Sequence, residues 1–336
     1  MAFEPPQRLV RALDEARRDG SGPESGAAGA VWLGALSRLV ESAVAGRGLT
    51  VERVHVPGGR GSLVLLVRRA DGGPAVLKLA PPQARPADER AALGHWAGRG
   101  AVRLLDGPGE EPGADGADAP GGAGGRAAPR GGAVEDDGAL LLERLQPDVP
   151  VRSLPEAKSM LEAAGTLRRL WVEPPGGHCF ETVGERTGRQ AEAMRAGAEA
   201  SGDADVAALV EAALGARAEL LAAPVEARLL HGAFRQSKVL AGERLPWLAV
   251  GPDPVVGECA FDLARLVRDR VEDAIAAPSG PALARRRVKR LAESLDVDRD
   301  RLNGWTLFRT VESAVRALRV GRARDAELLL EFATWL

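Results

Sequence analysis

Apolar residues recur at helical spacing over 7–18 (Leu9, Val10, Leu13) and 31–45 (Trp32, Leu36, Leu39, Val40, Val44), which predicts two N-terminal helices joined by the Gly/Ser-rich stretch GSGPESGAAG. From Leu49 to Ala80 the period changes. LTVERVHV alternates, SLVLLVRR is a nearly continuous apolar run and PAVLKLA follows the turn residues ADGG, so three strands joined by glycine turns are expected. A helix over 86–99, with Ala92, Leu93 and Trp96 on one face, precedes a short strand at 101–105. Another strand falls at 139–145 (ALLLERL). Beyond Ser153 helical patterns dominate, at about 153–171, 186–199, 203–222, 259–276, 281–295, 303–319 and 322–335. The polar loop-and-strand region from 228 to 256 interrupts them.

Residues 107–137 fit neither period. Ten Gly, four Pro and seven Ala stand among seven acidic residues, with Val134 the one larger apolar side chain. Such a segment cannot bury enough surface to offset its ordering entropy, so a disordered hairpin insertion is expected, cut first by protease near Arg126 or Arg130. The expected division is N-terminal helices at 1–48, a β-rich lobe at 49–145 and a helical lobe at 146–336. Two lobes suit 336 residues, since single cores rarely grow beyond about 250–300.

Composition narrows the classes. With no Tyr, the cores must be built mainly from Leu, Val and Ala. A net charge of −2 gives no electrostatic case for nucleic acid or a membrane surface, and the basic run Arg285, Arg286, Arg287, Lys289, Arg290 reads as a solvated helix face. No run approaches the roughly 18 apolar residues of a membrane span, and the charged N-terminus has no apolar leader core. Cys179 and Cys259 have no metal-ligand or disulfide spacing, which fits a reducing cytoplasm.

Two segments carry the chemistry: LLHGAFRQSKVL at 229–240 and WLAVGPDPVVGECAFDLARLVRDR at 247–270. They resemble the catalytic loop and metal-binding strand of the aminoglycoside phosphotransferase family, in particular its streptomycin 6-kinase and hydroxyurea phosphotransferase group, which reads H-G-D-x-H-x-x-N and then W-L-A-I-D-P. The resemblance implies an α+β, bilobal, protein-kinase-like fold with a small β-rich N-lobe and a larger helical C-lobe. It also implies ATP as phosphate donor, magnesium as its partner and a hydroxylated or cationic small molecule as acceptor. Framework positions fit, among them His231, Gly232, Trp247, Pro252 and Phe261. The reactive positions do not: Ala233 stands for the catalytic Asp, Arg235 for the second His, Lys238 for the metal-binding Asn and Gly251 for the metal-binding Asp.

Phosphoryl transfer needs phosphate positioning, charge neutralisation by metal and a base that orients the acceptor. For positioning, the turn Gly58-Gly59-Arg60-Gly61-Ser62 leaves room for backbone amides to approach phosphates, although an ordinary hairpin turn reads the same way. Lys78 sits mid-strand between Leu77 and Leu79 and matches the family's phosphate-pairing lysine, with Glu89 as the helix glutamate that holds it. For metal, Lys238 and Gly251 offer no oxygen ligand, and Asp253, two residues further on, is the remaining substitute. For base chemistry, Ala233 offers nothing, and His231 reads as a framework residue. Asp262 and Glu258 read as framework carboxylates at a helix start. The expectation is a pseudokinase-like module binding a nucleotide or small molecule. Two alternatives stand: an active phosphotransferase that recruits Asp253, and an interaction protein whose cleft has collapsed through pairing of Lys78 and Lys238 with Glu89 and Asp253.

Overall fold

The computed structural model describes residues 4–19, 23–106, 138–223 and 225–336. The segment at 107–137, expected to be disordered, lies outside the described residues. Two helices open the chain, α1 (Gln7–Arg18) and α2 (Pro23–Gly46). Four strands follow, β1 (Thr50–Val54), β2 (Leu63–Arg68), β3 (Pro74–Leu79) and β4 (Ala139–Glu143), with α3 (Pro86–Trp96) between the last two. They form one antiparallel sheet in the order β1-β2-β3-β4.

Strand periodicity sorts the side chains of that sheet. Leu63, Leu65, Val67, Ala75, Leu77, Leu79, Ala139 and Leu141 pack with Leu9 of α1 and with Trp32, Leu36, Val40 and Ala43 of α2 into one core. The other face turns Val76, Leu140 and Leu142 toward the main core, which also takes Ala92, Leu93 and Trp96 of α3. Lys78 belongs to this second face, opposite Val64 and Leu140 across the ladder.

Stretch 28–46 of α2 corrects the expectation about apolar runs, because its length and mean hydropathy of 1.2 reach what a membrane crossing requires. One face of it is nonetheless core. Trp32, Leu36, Val40 and Ala43 are buried under the sheet while Arg38 and Glu41 lie on the outer side.

The remainder is helical apart from three small ladders. Its helices are α4 (Glu156–Leu170), α5 (Val183–Ser201), α6 (Ala204–Ala222), α7 (Cys259–Val267), α8 (Val271–Ala276), α9 (Gly280–Leu295), α10 (Arg299–Arg319) and α11 (Ala323–Ala333). The strands β5 (Gln146–Pro150), β7 (Val239–Ala241) and β8 (Trp247–Ala249) form one sheet, and β6 (Arg228–Leu230) pairs with β9 (Val255–Gly257) in another. Capping follows the sequence where it can: Thr182 and Glu185 make a reciprocal capping box at the start of α5, and Asp203 and Asp298 cap α6 and α10.

Further readings change on contact with the fold. From Pro23 onward the Gly/Ser-rich stretch expected to link the first two helices is already part of α2. The 101–105 stretch is no strand but a connector making two isolated bridges, Ala101 to Ala249 of the C-lobe and Leu104 to Leu142 of β4. The helix expected over 259–276 breaks into α7 and α8, because Arg270 takes a left-handed conformation (φ 57°) and its guanidinium anchors to Gln236 and to the carbonyls of Arg152 and Leu154. The basic face of α9 is not wholly solvated either: Arg287 is buried, bonded to Glu156 and to the carbonyl of Asp269.

Candidate functional site

Lys78 and Glu89 form the cleft's upper wall. Alternation in β3 sends Lys78 away from the α2 core, and the first turn of α3 carries Glu89 beneath it, so the two pair directly. Both are largely buried, with side-chain exposures of 13% and 3%. Nearby, the turn between β1 and β2 is engaged by the first helix rather than open: Pro6 lies against Gly58, and Arg60 pairs with Glu15 of α1. Ser62 is buried at the turn's end, and Gly61 faces open space.

The lower wall is the loop after β6. Asp262, in the first turn of α7, accepts hydrogen bonds from the backbone N–H groups of His231 (2.8 Å) and Gly232 (3.0 Å). It therefore caps the catalytic loop rather than its own helix. Burial pushes its carboxyl up, opposed by Arg309 and those two N–H groups. Glu258 does not cap either; it ties α7 to α10 through Arg301 and the Trp305 indole. His231 is fully buried, its Nε2 on the Val250 carbonyl (3.2 Å) and its Nδ1 accepting from the Ala233 N–H (3.3 Å). Burial and the adjacent Lys238 hold its imidazole well below the ordinary range. A neutral ring with both nitrogens engaged is a strut, not a base.

The two positions that the resemblance would assign to metal binding, Lys238 and Gly251, touch each other. Lys238 donates from Nζ to the carbonyl oxygen of Gly251 at 2.6 Å, so one substituted position bonds to the other. Gly251 has φ 61°, and a Cβ built there would meet only Lys238, at 3.8 Å. The ammonium thus fills the space beside Gly251. Burial, and then Arg235, Arg265 and Lys78, pull the Lys238 pKa down to about 7. Arg235 is lowered in the same way, by burial and Arg265 first, with Arg8 of α1 and Arg60 adding to it, and its Nε is buried without a partner. Among the described residues no carboxylate pairs with Lys238, Arg235 or Arg265, and no group of three His, Cys, Asp or Glu could hold a metal ion.

Asp253, the expected substitute ligand, is engaged by arginines. Its carboxylate is clamped by Arg85 (2.6 Å) and Arg186 (3.2 Å), and its backbone N–H bonds the His231 carbonyl. The pairing of Lys238 with Asp253 that a collapsed cleft would need is absent for the same reason, although Lys78 does pair with Glu89. Glu181 completes the clamp. Burial would raise its pKa, but Arg189, Arg186 and Arg85 outweigh that and bring it to about 2. This lobe-bridging network could not be read from the sequence, since Arg85 and Asp253 stand 168 positions apart.

With this geometry in view, the comparisons are informative. The family model described as aminoglycoside/hydroxyurea antibiotic resistance kinase matches residues 47–114 and 108–321. The chain is 32% identical to streptomycin 6-kinase of Streptomyces glaucescens over 299 residues, covering 89% of this chain and 88% of that protein. It is 34% identical to hydroxyurea phosphotransferase of Kitasatospora aureofaciens over 263 residues, covering 76% and 66%. Among solved structures, a thermostable mutant of an aminoglycoside phosphotransferase in ternary complex with ADP and hygromycin B superposes with TM-score 0.55 at 15% identity, over 88% of this chain and 96% of that one. Choline kinase of Streptococcus pneumoniae superposes with TM-score 0.56 at 9% identity, over 89% and 99%. These superpositions establish the bilobal kinase-like α+β fold, and with the family match over most of its length the chain belongs to the aminoglycoside/hydroxyurea antibiotic resistance kinases.

Proposed function

We propose that the chain is a nucleotide-binding member of its family in which lysine has taken over the place of the metal, with phosphate transfer lost. The observation that carries this reading is the Lys238 amine bonded to the Gly251 carbonyl, a titratable cationic group at one position to which the resemblance assigns an oxygen ligand, bonded to the other. Magnesium requires oxygen donors. The Gly251 carbonyl oxygen already accepts from Lys238. An ATP or ADP polyphosphate, by contrast, finds Lys78 and Lys238 as cations on two sides of the cleft, with Arg235 beside them. The related aminoglycoside phosphotransferase binds ADP in the same fold, which supports nucleotide as the ligand.

The energetics argue against efficient transfer. A positioned base is worth about 10²–10⁴ in rate, or roughly 3–5.5 kcal/mol, and metal stabilisation of the transition state several kcal/mol more. Nothing at Ala233 replaces the first, and a lysine on one flank replaces the second only in part. An active kinase remains the rival reading, favoured by the streptomycin 6-kinase relatives.

Calorimetry with ATP and ADP, with and without magnesium, tests the proposal, alongside a turnover assay on streptomycin and hydroxyurea. Binding unchanged by EDTA, weakened by salt and by Lys238→Ala, with no turnover above an enzyme-free control, is the expected outcome. Strict magnesium dependence or clear turnover would overturn it, and no nucleotide binding under any condition would favour an interaction protein. Restoring Ala233→Asp, Lys238→Asn and Gly251→Asp together should bring back magnesium-dependent binding, whereas single changes should do little, because groups that act as a unit are strongly non-additive. Gly251 sits at φ 61°, in the left-handed region, so Gly251→Asp carries backbone strain, smaller for Asp than for most residues.

A further inference from the structure

Beside the loop after β6 lies a cavity of about 330 Å³ that none of the sequence motifs accounts for. It abuts the loop through Asp253, whose backbone N–H is bonded to the carbonyl of His231. Helix α5 contributes Arg186 and Arg189, α10 contributes Arg316, Arg319 and Glu312, and Asp19, the residue after α1, also lines it. With Arg85 the lining holds five guanidinium groups against the three carboxylates of Asp19, Asp253 and Glu312.

Who pairs with whom matters more than the count. Asp253 is shared between Arg85 and Arg186, and Glu181, just outside the cavity, between Arg85, Arg186 and Arg189. Each of those two carboxylates is therefore held by at least two arginines. A guanidinium has five N–H donors, and two arginines keep most of theirs. Arg316 meets Asp19 at 3.2 Å with its side chain 55% exposed, and Arg189 meets Glu181 with its side chain 66% exposed. A hydroxylated polycation entering here would meet five guanidinium groups, with Glu312 the lining carboxylate that no arginine pairs among the described residues.

Asp19 is the chain's own occupant of part of this site. It reaches Arg316 and Arg319 at 3.2 Å each, yet its Oδ1 is buried without a hydrogen bond, so the carboxylate serves the two arginines incompletely. A multivalent oxyanion, with more acceptor oxygens and more charge, would satisfy Arg316, Arg319 and Arg189 together.

We propose that this cavity is a binding site for a small multivalent oxyanion, such as a phosphate ester or a polycarboxylate, and that it excludes polycationic aminoglycosides. The inference deepens the reading of the cleft as a retained ligand site by naming the class of its second ligand. It uses residues distinct from Lys78 and Lys238, so the two can fail separately.

The test is calorimetric titration of inorganic pyrophosphate, citrate and streptomycin into the full chain and four variants: Asp19→Asn, Arg189→Gln with Arg316→Gln, Arg316→Lys and Lys238→Ala. Pyrophosphate, citrate or both should bind the native chain, and which of them binds tells phosphate from carboxylate recognition. Affinity should rise about fivefold or more in Asp19→Asn, the coupling expected when an internal competitor is removed. It should fall in the double glutamine variant, be partly kept in Arg316→Lys and be unchanged in Lys238→Ala; streptomycin should give no heat. Oxyanion binding lost only in Lys238→Ala would place the anion in the nucleotide cleft and overturn the proposal. Streptomycin binding, or no oxyanion binding in either the native chain or Asp19→Asn, would overturn it as well. The mutated arginines are exposed enough to leave the fold intact, which thermal unfolding of each variant checks.

Discussion

At Gly232 the backbone turns with φ 72°, and a Cβ built there would lie 1.9 Å from the carbonyl oxygen of Asp253 and 3.0 Å from Arg186. Left-handed strain costs a non-glycine residue about 1–3 kcal/mol before any clash. Gly232→Ala should therefore lower the unfolding temperature clearly; an unchanged midpoint would mean that the 251–254 segment yields freely. Lys238 supports a second prediction at this scale. Its pKa falls from 10.5 to about 7 in the folded chain, so between those values the unfolded chain binds the extra proton and stability should rise with pH. Below pH 7 the full penalty of the buried charge applies. Nucleotide affinity should run the other way, falling as pH climbs through 7 and the ammonium is lost, and that trend should vanish in Lys238→Met. Binding measured from pH 6 to 9 decides it. The identities at 233, 238 and 251 were legible in the sequence because the motif is local, whereas the bond from Lys238 to Gly251 was not, since it depends on how two loops meet.

The pairing of strand β3 with helix α3 shows what periodicity delivers at the next scale. Alternation of Leu77, Lys78 and Leu79 is enough to place the lysine on the cleft face, and Glu89, in the acidic first turn of α3, meets it there. Removing one partner of a buried pair leaves the other charge unmet, which costs about 3–5 kcal/mol. Lys78→Met should therefore destabilise the chain by up to that amount and also reduce nucleotide binding, while Lys78→Met with Glu89→Leu should recover stability but not binding. Recovery of both would remove Lys78 from the binding site. Helices were readable wherever their apolar stripe was long, as in α10, whose Trp305, Phe308, Val311 and Val315 are all buried. Breaks were not readable where an ordinary residue takes a glycine-like conformation: Arg270 precedes α8 and Arg85 precedes α3, both at positive φ and both fixed by partners distant in sequence.

Across the whole molecule, α1 ties the two lobes together on the side of the cleft. Pro6 lies on Gly58 of the β1–β2 turn, Glu15 pairs with both Arg60 of that turn and Arg322 at the start of α11, and Asp19 reaches Arg316 and Arg319 of α10. Ion pairs at this level of exposure contribute about 0–1 kcal/mol each. Leu9, fully buried in the core under the sheet, is worth more: truncating a buried leucine typically costs 2–5 kcal/mol. The apolar anchor should thus set whether α1 is docked, and the charges how it is oriented. Leu9→Ala should accelerate amide hydrogen exchange in α1, in the turn at 55–62 and at the end of α10, with little change in α7. Glu15→Ala should affect only the turn and the α11 start, and raised salt should mimic Glu15→Ala but not Leu9→Ala. Equal exchange effects from the two substitutions would mean that the charges, not the leucine, hold the strap, and in that case the lobes would loosen with ionic strength over the same range in which nucleotide binding weakens.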